Sequence, residues 1–163
     1  MTIGRKAASL AAVASALAGM ALFAAPAHAS TAITKSVQNY ADNTNLDAYY
    51  GQQVWTRDSS MNFQVWTFTQ VGTTFTGVGI YTISSTTYGT CLQDVGVGSA
   101  VKQQTCDGTN LAQRWVVDFG QPATTIASAK NPAEVLQGNG SDTAVTLVPA
   151  ASTANQVWTL YDK

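Results

Sequence analysis

Short runs that alternate between apolar and polar residues dominate the chain from about residue 36 onward. Period-two runs at 53–56, 63–68 and 156–161 predict half-buried β-strands, because successive side chains of a strand point to opposite faces. Glycine and asparagine at 96–98 and 138–140 predict turns. No long stretch keeps the 3.6-residue period of a helix, so the pattern predicts an all-β domain.

The first thirty residues follow a different pattern. Arg5 and Lys6 precede an uncharged, alanine-rich stretch at 7–25, and Ala-His-Ala at 27–29 supplies a small-x-small cleavage site. This order predicts a cleaved secretory signal peptide over 1–29 and a secreted mature domain over 30–163. The alternative is a membrane anchor, because the uncharged run is almost long enough to span a bilayer.

One tripeptide, Gln-x-Trp, occurs three times in the mature region, as Gln64-Val65-Trp66, Gln113-Arg114-Trp115 and Gln156-Val157-Trp158. The tryptophans lie 49 and 43 residues apart. A period of this length predicts one supersecondary unit used three times. We place the repeats at about 36–80, 81–125 and 126–163.

These repeats resemble the ricin-B-type lectin family. The second unit is the most similar, with Cys91-Leu92-Gln93-Asp94, then Cys-Asp-Gly-Thr-Asn at 106–110, then Gln-x-Trp. The resemblance implies a β-trefoil of twelve strands, four per repeat, in which the repeats bury their apolar faces against one another. It also implies that Trp66, Trp115 and Trp158 are matching core residues and that each adjacent glutamine bonds backbone groups where the chain turns.

In the resembled family a sugar site combines an early Asp, an aromatic residue in the middle of the repeat, and polar residues at or before the glutamine. An aromatic ring packs on the apolar face of a sugar, and a carboxylate accepts hydrogen bonds from its hydroxyls. Extended backward from Gln-x-Trp, the first repeat supplies a complete set of candidates: Asp47, Gln53, Trp55, Asn62 and Gln64.

The other two repeats lack the carboxylate and the aromatic residue, although Asn155 and Gln156 are intact in the third. The same alignment matches Asp47 with Gln93 and Gln137, and Trp55 with Gln104 and Val148. We therefore expect one working sugar site, in the first repeat. The alternatives are that Trp55 packs at a strand edge and that the Asp47 carboxylate caps a turn.

Composition narrows the possible chemistry. The only histidine, His28, leaves with the predicted signal peptide, and most nucleophile–base pairs and metal sites need histidine. We expect no metal, no cofactor and no enzymatic activity; the enzymatic alternative is a glycosidase carboxylate pair, Asp47 with Asp58. Without Arg5 and Lys6, six basic residues remain against nine acidic ones, a net charge near −3. We therefore expect neither nucleic-acid binding nor membrane insertion.

The chain has two cysteines, Cys91 and Cys106. Because an exported protein meets an oxidising environment, one disulfide is expected, with two free thiols as the alternative. The sequence as a whole predicts a secreted carbohydrate-binding lectin, and the resemblance suggests galactose-type glycans. The alternative is a non-catalytic trefoil subunit of a secreted complex or toxin that binds a protein partner, with residues 30–38 as a docking strand.

Overall fold

A computed structural model of the chain describes residues 30–49, 52–59 and 62–163. The predicted signal peptide, 1–29, lies outside the described residues. The described part is all-β, with three single-turn 3₁₀ helices at Asn62–Gln64, Leu111–Gln113 and Ala154–Gln156. The strands are β1 (Ala32–Asn39), β2 (Asn45–Asp47), β3 (Trp55–Arg57), β4 (Val65–Thr73), β5 (Gly79–Ser85), β6 (Cys91–Gln93), β7 (Lys102–Gln104), β8 (Trp115–Val117), β9 (Ala123–Thr124), β10 (Ile126–Ser128), β11 (Glu134–Gln137), β12 (Thr143–Ala144), β13 (Thr146–Pro149) and β14 (Trp158–Asp162).

The strands fall into three sets of four, which confirms the β-trefoil. The first set is β1–β4 and the second is β5–β8. In the third set, β9 and β10 are one strand interrupted at Thr125, and β12 and β13 are one strand interrupted at Val145. The first and last strand of each set pair in a ring, β1–β4–β5–β8–β10 and then β9–β14–β1, which closes a barrel.

The two middle strands of each set form a hairpin, and the three hairpins cap one end of the barrel. A ring of backbone hydrogen bonds joins them: Val54 N–H donates to Val101 C=O (3.2 Å), Val101 to Val145 (2.9 Å) and Val145 to Val54 (2.9 Å). All three valines are fully buried. This ring lies on the pseudo-threefold axis and fixes how the hairpins of the three repeats meet.

The Gln-x-Trp tryptophans occupy matching places in the core. Trp66, Trp115 and Trp158 are fully buried. Each donates its Nε1–H to the carbonyl of a leucine in the second strand of its own repeat: Leu46 at 2.9 Å, Leu92 at 3.0 Å and Leu136 at 3.2 Å. The three tryptophans therefore have the matching core positions that the resemblance implies for them.

Strand β1 is an integral barrel strand. It pairs with β4 over residues 32–36 and with β14 over residues 35–39. Residues 35–38 therefore belong to the barrel wall, which contradicts a free docking strand over that part of 30–38, because β-strand addition needs a free edge. Among the described residues, no helix has the length and apolarity to cross a membrane.

Cys91 and Cys106 form the predicted disulfide. The bond joins β6 to the segment after β7 across a sequence separation of 15. In the chain-entropy model a loop of this size contributes about 3 kcal/mol, because the cross-link restricts the unfolded chain.

Reduction of this disulfide should lower the free energy of unfolding by about 3 kcal/mol. The measurement is urea denaturation of the protein with and without reductant, compared with the Cys91→Ala/Cys106→Ala variant, which should be equally destabilised and insensitive to reductant. Labelling of the unreduced native protein by a thiol reagent would contradict the pairing.

Candidate functional site

The Asp47 carboxylate is the centre of the candidate site. It lies at the end of β2 and is 1% exposed. Its Oδ1 accepts a hydrogen bond from the Tyr49 backbone N–H (2.6 Å), and its Oδ2 accepts one from Gln64 Nε2 (3.0 Å). Gln64 Nε2 also donates to Ser59 Oγ (2.8 Å). Because an ionised carboxylate has about four acceptor positions, these bonds orient Asp47 and leave capacity for a ligand hydroxyl.

The other repeats build the same contact without a carboxylate. Gln113 Nε2 donates to Gln93 Oε1 (3.0 Å), and Gln156 Nε2 donates to Gln137 Oε1 (3.3 Å). Both glutamines also bond backbone carbonyls, those of Thr105 (2.9 Å) and Pro149 (3.1 Å). The fold therefore needs a hydrogen-bond acceptor at the position of Asp47 but does not need a negative charge there.

Asp94, one residue after Gln93, does not replace the missing carboxylate in the second repeat. It is 3% exposed. Its Oδ2 accepts a hydrogen bond from Ser128 Oγ (2.7 Å), and its Oδ1 accepts one from the Gly96 backbone N–H (2.7 Å). Asp94 thus links the second repeat to the third.

Asp47 opens onto a pocket of about 270 Å³. Tyr49 and Phe63 supply its aromatic wall, with ring centroids 4.8 Å apart and an interplanar angle of 54°. Ligand pockets for drug-sized molecules measure about 300–1,000 Å³, so this pocket suits a single small ring. The full lining is Asp47, Tyr49, Arg57, Asp58, Ser59, Phe63 and Asp142.

Three carboxylates and one guanidinium line this pocket. Arg57 lies over the ring of Tyr49 (4.8 Å to the centroid) and near that of Trp55 (5.8 Å). Its Nε is 3.1 Å from Asp142 Oδ1, an ion pair without hydrogen-bond geometry. Asp142 belongs to a turn of the third repeat, and its backbone N–H donates a hydrogen bond to Thr56 C=O of the first repeat (2.7 Å). The excess of negative charge favours ligands that donate hydroxyl hydrogens and disfavours anionic ones.

The strand register corrects the alignment of the repeats. Asn45 pairs with Arg57, Cys91 with Gln104, and Val135 with Val148. Gln104 and Val148 therefore match Arg57, and the match with Trp55 is wrong by two residues. The reason is loop length: Arg57 lies seven residues before Gln64, whereas Gln104 lies nine before Gln113 and Val148 eight before Gln156.

The five predicted sugar-binding residues are only partly brought together. Asp47 lines the pocket. Gln64 is 2% exposed and donates a hydrogen bond to the Asp47 carboxylate. Trp55 is half-buried on β3 and pairs with Asp47 in the strand register. It does not line the pocket, and its ring lies next to the Arg57 side chain. Exposed Asn62 accepts a hydrogen bond from Thr87 Oγ1 through its carbonyl (3.0 Å). Gln53 is exposed, and its backbone forms an isolated antiparallel β-bridge with Lys102 of the second hairpin. Their roles in sugar binding stay predictions.

The comparison with protein-family models gives one match, to the ricin-type beta-trefoil lectin domain-like model over residues 62–148. The matched segment is more than half of the chain. The chain belongs to the ricin-type β-trefoil lectin domain-like family. No curated protein sequence matches the chain.

Solved structures with the same fold come from both lectins and toxins. The designed threefold-symmetric protein ThreeFoil has a TM-score of 0.70 at 18% identity, covering 80% of this chain and 99% of its own. A ricin B-like lectin from Macrolepiota procera, solved in complex with lactose, has a TM-score of 0.62 at 19% identity and covers 80% and 95%. The Haemophilus ducreyi cytolethal distending toxin has a TM-score of 0.63 at 18% identity and covers 79% and 83%. At these identities the similarity establishes the fold alone.

Several pocket residues of this ricin-type domain were not predicted as ligands from the sequence. Arg57, Ser59 and Asp142 have no motif of their own, and Asp142 comes from another repeat. Phe63, which directly precedes Gln64, is an aromatic wall of the pocket. The sequence signal available for Phe63 is that the matching residues, Ala112 and Asn155, are not aromatic.

Asp47 and Asp58, the carboxylate pair of the enzymatic alternative, both line the pocket. Asp58 is exposed, and its backbone N–H bonds Ser141 Oγ of the third repeat (3.3 Å). A glycosidase needs two carboxyl groups that flank the scissile bond. Asp47 accepts one hydrogen bond on each oxygen, from the Tyr49 N–H and from Gln64 Nε2, so both of its oxygens already have partners in the fold. Within the described residues, no group of three or more His, Cys, Asp or Glu side chains is placed to hold a metal.

A second, larger groove lies on this ricin-type domain away from Asp47. Its volume is about 670 Å³, and no charged side chain lines it. Tyr40 and Tyr161, which are 63% and 49% exposed, form its walls. The rest of the lining is Pro122, Ala123, Ser152, Ala154, Val157 and Thr159.

Proposed function

We propose that this protein is a secreted, non-catalytic lectin that binds a neutral sugar in the first-repeat pocket. The observation that carries the proposal is the Asp47 carboxylate, held by Gln64 and the Tyr49 amide at the base of a pocket with two aromatic walls. A carboxylate accepts hydroxyl hydrogens, and tyrosine and phenylalanine rings pack on the apolar face of a pyranose. The same combination is absent from the second and third repeats.

The charge of the pocket narrows the class of ligand. Asp47, Asp58 and Asp142 outnumber Arg57, whose charge is directed toward Asp142. A sialylated or sulfated sugar would bring a further negative charge into this site, so neutral glycans are favoured. Galactose-type glycans are the first choice, supported by the lactose bound to the Macrolepiota procera lectin.

The proposal that the domain is non-catalytic rests on the use of Asp47. Both of its oxygens act as acceptors in a structural hydrogen-bond network, and the matching positions hold glutamine. Secretion is proposed from the pattern of residues 1–29, and the Cys91–Cys106 disulfide agrees with an oxidising compartment.

A glycan array with the purified mature protein tests the function. We expect binding to neutral glycans, at least tenfold weaker binding in Tyr49→Ala, and unchanged binding in Val95→Ala, which alters the matching residue of the second repeat. Losing one aromatic wall should cost about 1.4 kcal/mol or more, equivalent to a factor of ten. The bound glycan should remain unhydrolysed after incubation with the protein. A Trp55→Ala arm decides whether Trp55 contacts the sugar, as the sequence predicts.

We infer a second candidate function from the larger groove: a non-catalytic subunit that docks a protein partner. Tyrosine-rich, uncharged surfaces are typical of the buried centre of protein interfaces. The fold is shared with the cytolethal distending toxin. Two results together would favour this function over the first. The array would show no glycan binding, and a protein partner that co-purifies with the mature protein in stoichiometric amount would no longer bind the Tyr161→Ala variant.

A further inference from the structure

A strip of three aromatic rings leads out of the first-repeat pocket. We define this aromatic strip as Tyr49, Phe63 and Tyr88. Tyr49 and Phe63 line the pocket, with centroids 4.8 Å apart, and Phe63 stacks on Tyr88 with centroids 5.8 Å apart and an interplanar angle of 16°. Tyr88 lies outside the pocket lining, in the loop between β5 and β6 of the second repeat. The strip therefore continues the sugar-binding wall onto the neighbouring repeat.

The fold does not require Phe63 at its position. Three equivalent backbone hydrogen bonds define the matching residues: Ala48 N–H to Phe63 C=O (2.9 Å), Asp94 N–H to Ala112 C=O (2.8 Å) and Gly138 N–H to Asn155 C=O (2.9 Å). Alanine and asparagine thus fulfil the same structural role in the other repeats. The phenylalanine ring is a local addition to the first site.

Tyr88 is likewise specific to this junction. Its N–H donates to Ser85 Oγ (3.3 Å), as the N–H of Asn131 donates to Ser128 Oγ (3.4 Å) in the third repeat. The loop after β1 can be aligned in the same way, because Asn43 N–H donates to Asn39 C=O there and Gly89 N–H donates to Ser85 C=O here. Asn43 therefore matches Gly89, and the residue before it, Asp42, matches Tyr88. The matching loops therefore carry polar residues, Asn131 and Asp42, where this one carries an aromatic ring that is 48% exposed.

The loop that carries Tyr88 is tied to the first repeat. Thr86 Oγ1 donates to Val65 C=O (3.0 Å), and Thr87 Oγ1 donates to Asn62 C=O (3.0 Å). Gly89 has φ of 65°, a left-handed conformation that glycine adopts without strain, and it closes the turn behind Tyr88. The ring is thus held in place before any ligand arrives, which lowers the ordering cost of binding.

We propose that this site recognises an oligosaccharide of at least two rings, with one ring in the Asp47 pocket and the next packed against Phe63 and Tyr88. The inference rests on the proposed carbohydrate-binding function and names its ligand class. The volume of the pocket suits a single ring, and the strip continues from its aromatic wall through the contact of Phe63 with Tyr88. The strip carries no charge, and a half-exposed tyrosine offers an apolar face together with a hydroxyl that can bond a sugar.

The test compares sugars that share one terminal residue. Mono-, di- and trisaccharides with the same non-reducing end, beginning with galactose and lactose, are titrated against the mature protein by calorimetry. The wild type should bind the disaccharide at least about tenfold more tightly than its terminal monosaccharide. Tyr88→Ala should remove this preference and leave monosaccharide binding within about twofold of the wild-type value, whereas Tyr88→Phe should keep the preference.

Phe75→Ala is the matched control, because Phe75 is an exposed aromatic residue in the turn between β4 and β5 and lines neither the pocket nor the larger groove. It should leave both affinities unchanged. Equal affinity of the wild type for monosaccharide and oligosaccharide, or a full preference in Tyr88→Ala, would overturn the inference and leave the proposed function standing. Loss of monosaccharide binding in Tyr88→Ala, with an unchanged melting temperature, would overturn the division into two ring sites. No binding of any glycan by the wild type would overturn both proposals.

Discussion

Replacement of Trp66 by alanine should lower the free energy of unfolding by about 3–5 kcal/mol, the usual cost of truncating a fully buried tryptophan. Two effects contribute: a cavity forms at the centre of the trefoil, and the Leu46 carbonyl loses its hydrogen bond from Nε1. Since domains of this size are stable by about 5–15 kcal/mol, this single change removes a large share of the total. Urea denaturation followed by far-ultraviolet circular dichroism, with the disulfide kept oxidised, measures the effect.

The pseudo-threefold arrangement supplies the controls for this experiment. Trp115→Ala and Trp158→Ala should cost the same as Trp66→Ala within about 1 kcal/mol, because all three rings are fully buried with the same hydrogen bond. Trp55→Ala should cost much less, about 1 kcal/mol, because that ring is half-buried. Equal losses in Trp55→Ala and Trp66→Ala would contradict the assignment of Gln-x-Trp to the core.

The fold was predictable from the sequence because its essential contacts are repeated in it. A tryptophan that bonds a leucine carbonyl, and a glutamine that bonds a neighbouring turn, need the same residue types in every copy. Three copies at similar spacing therefore identify the trefoil without any information on the loops. The disulfide was predictable for another reason, since the chain has two cysteines, which allow only one intramolecular pairing, and its first residues predict export to an oxidising environment.

The site was predictable only in part, because the repeats differ in loop length. An alignment extended backward from Gln-x-Trp assumes equal lengths, but the loop after β3 is shorter in the first repeat, and Arg57 takes the place that the alignment gave to Trp55. Contacts between repeats are a second obstacle. Asp142 and Tyr88 reach the first site from the third and second repeats, and no local motif indicates which neighbour a loop will meet.

Asp47→Gln should weaken sugar binding severely while leaving the fold intact, which separates the function of this residue from its structural role. Gln93 and Gln137 already occupy the matching positions, and each pairs with the glutamine of its own Gln-x-Trp motif. A glutamine at position 47 can therefore accept the same hydrogen bond from Gln64, while the bond that Asp47 Oδ1 accepts from the Tyr49 N–H is lost. The free energy of unfolding should fall by no more than about 1.5 kcal/mol. What disappears is the negative charge and its ability to accept two charge-assisted bonds from a sugar.

The expected loss of affinity is about 100-fold, because hydrogen bonds to charged groups contribute about 1.5–3 kcal/mol each and every 1.4 kcal/mol is a factor of ten. Isothermal titration with the glycan selected on the array measures it, and urea denaturation of the same preparation checks the fold. Gln93→Asp is the reciprocal control: it places a carboxylate in the second repeat but creates no site there, because Val95 and Ala112 stand where Tyr49 and Phe63 form the aromatic wall. Wild-type affinity in Asp47→Gln would place the sugar elsewhere on the molecule, because the substitution removes the charge while preserving the hydrogen bond from Gln64.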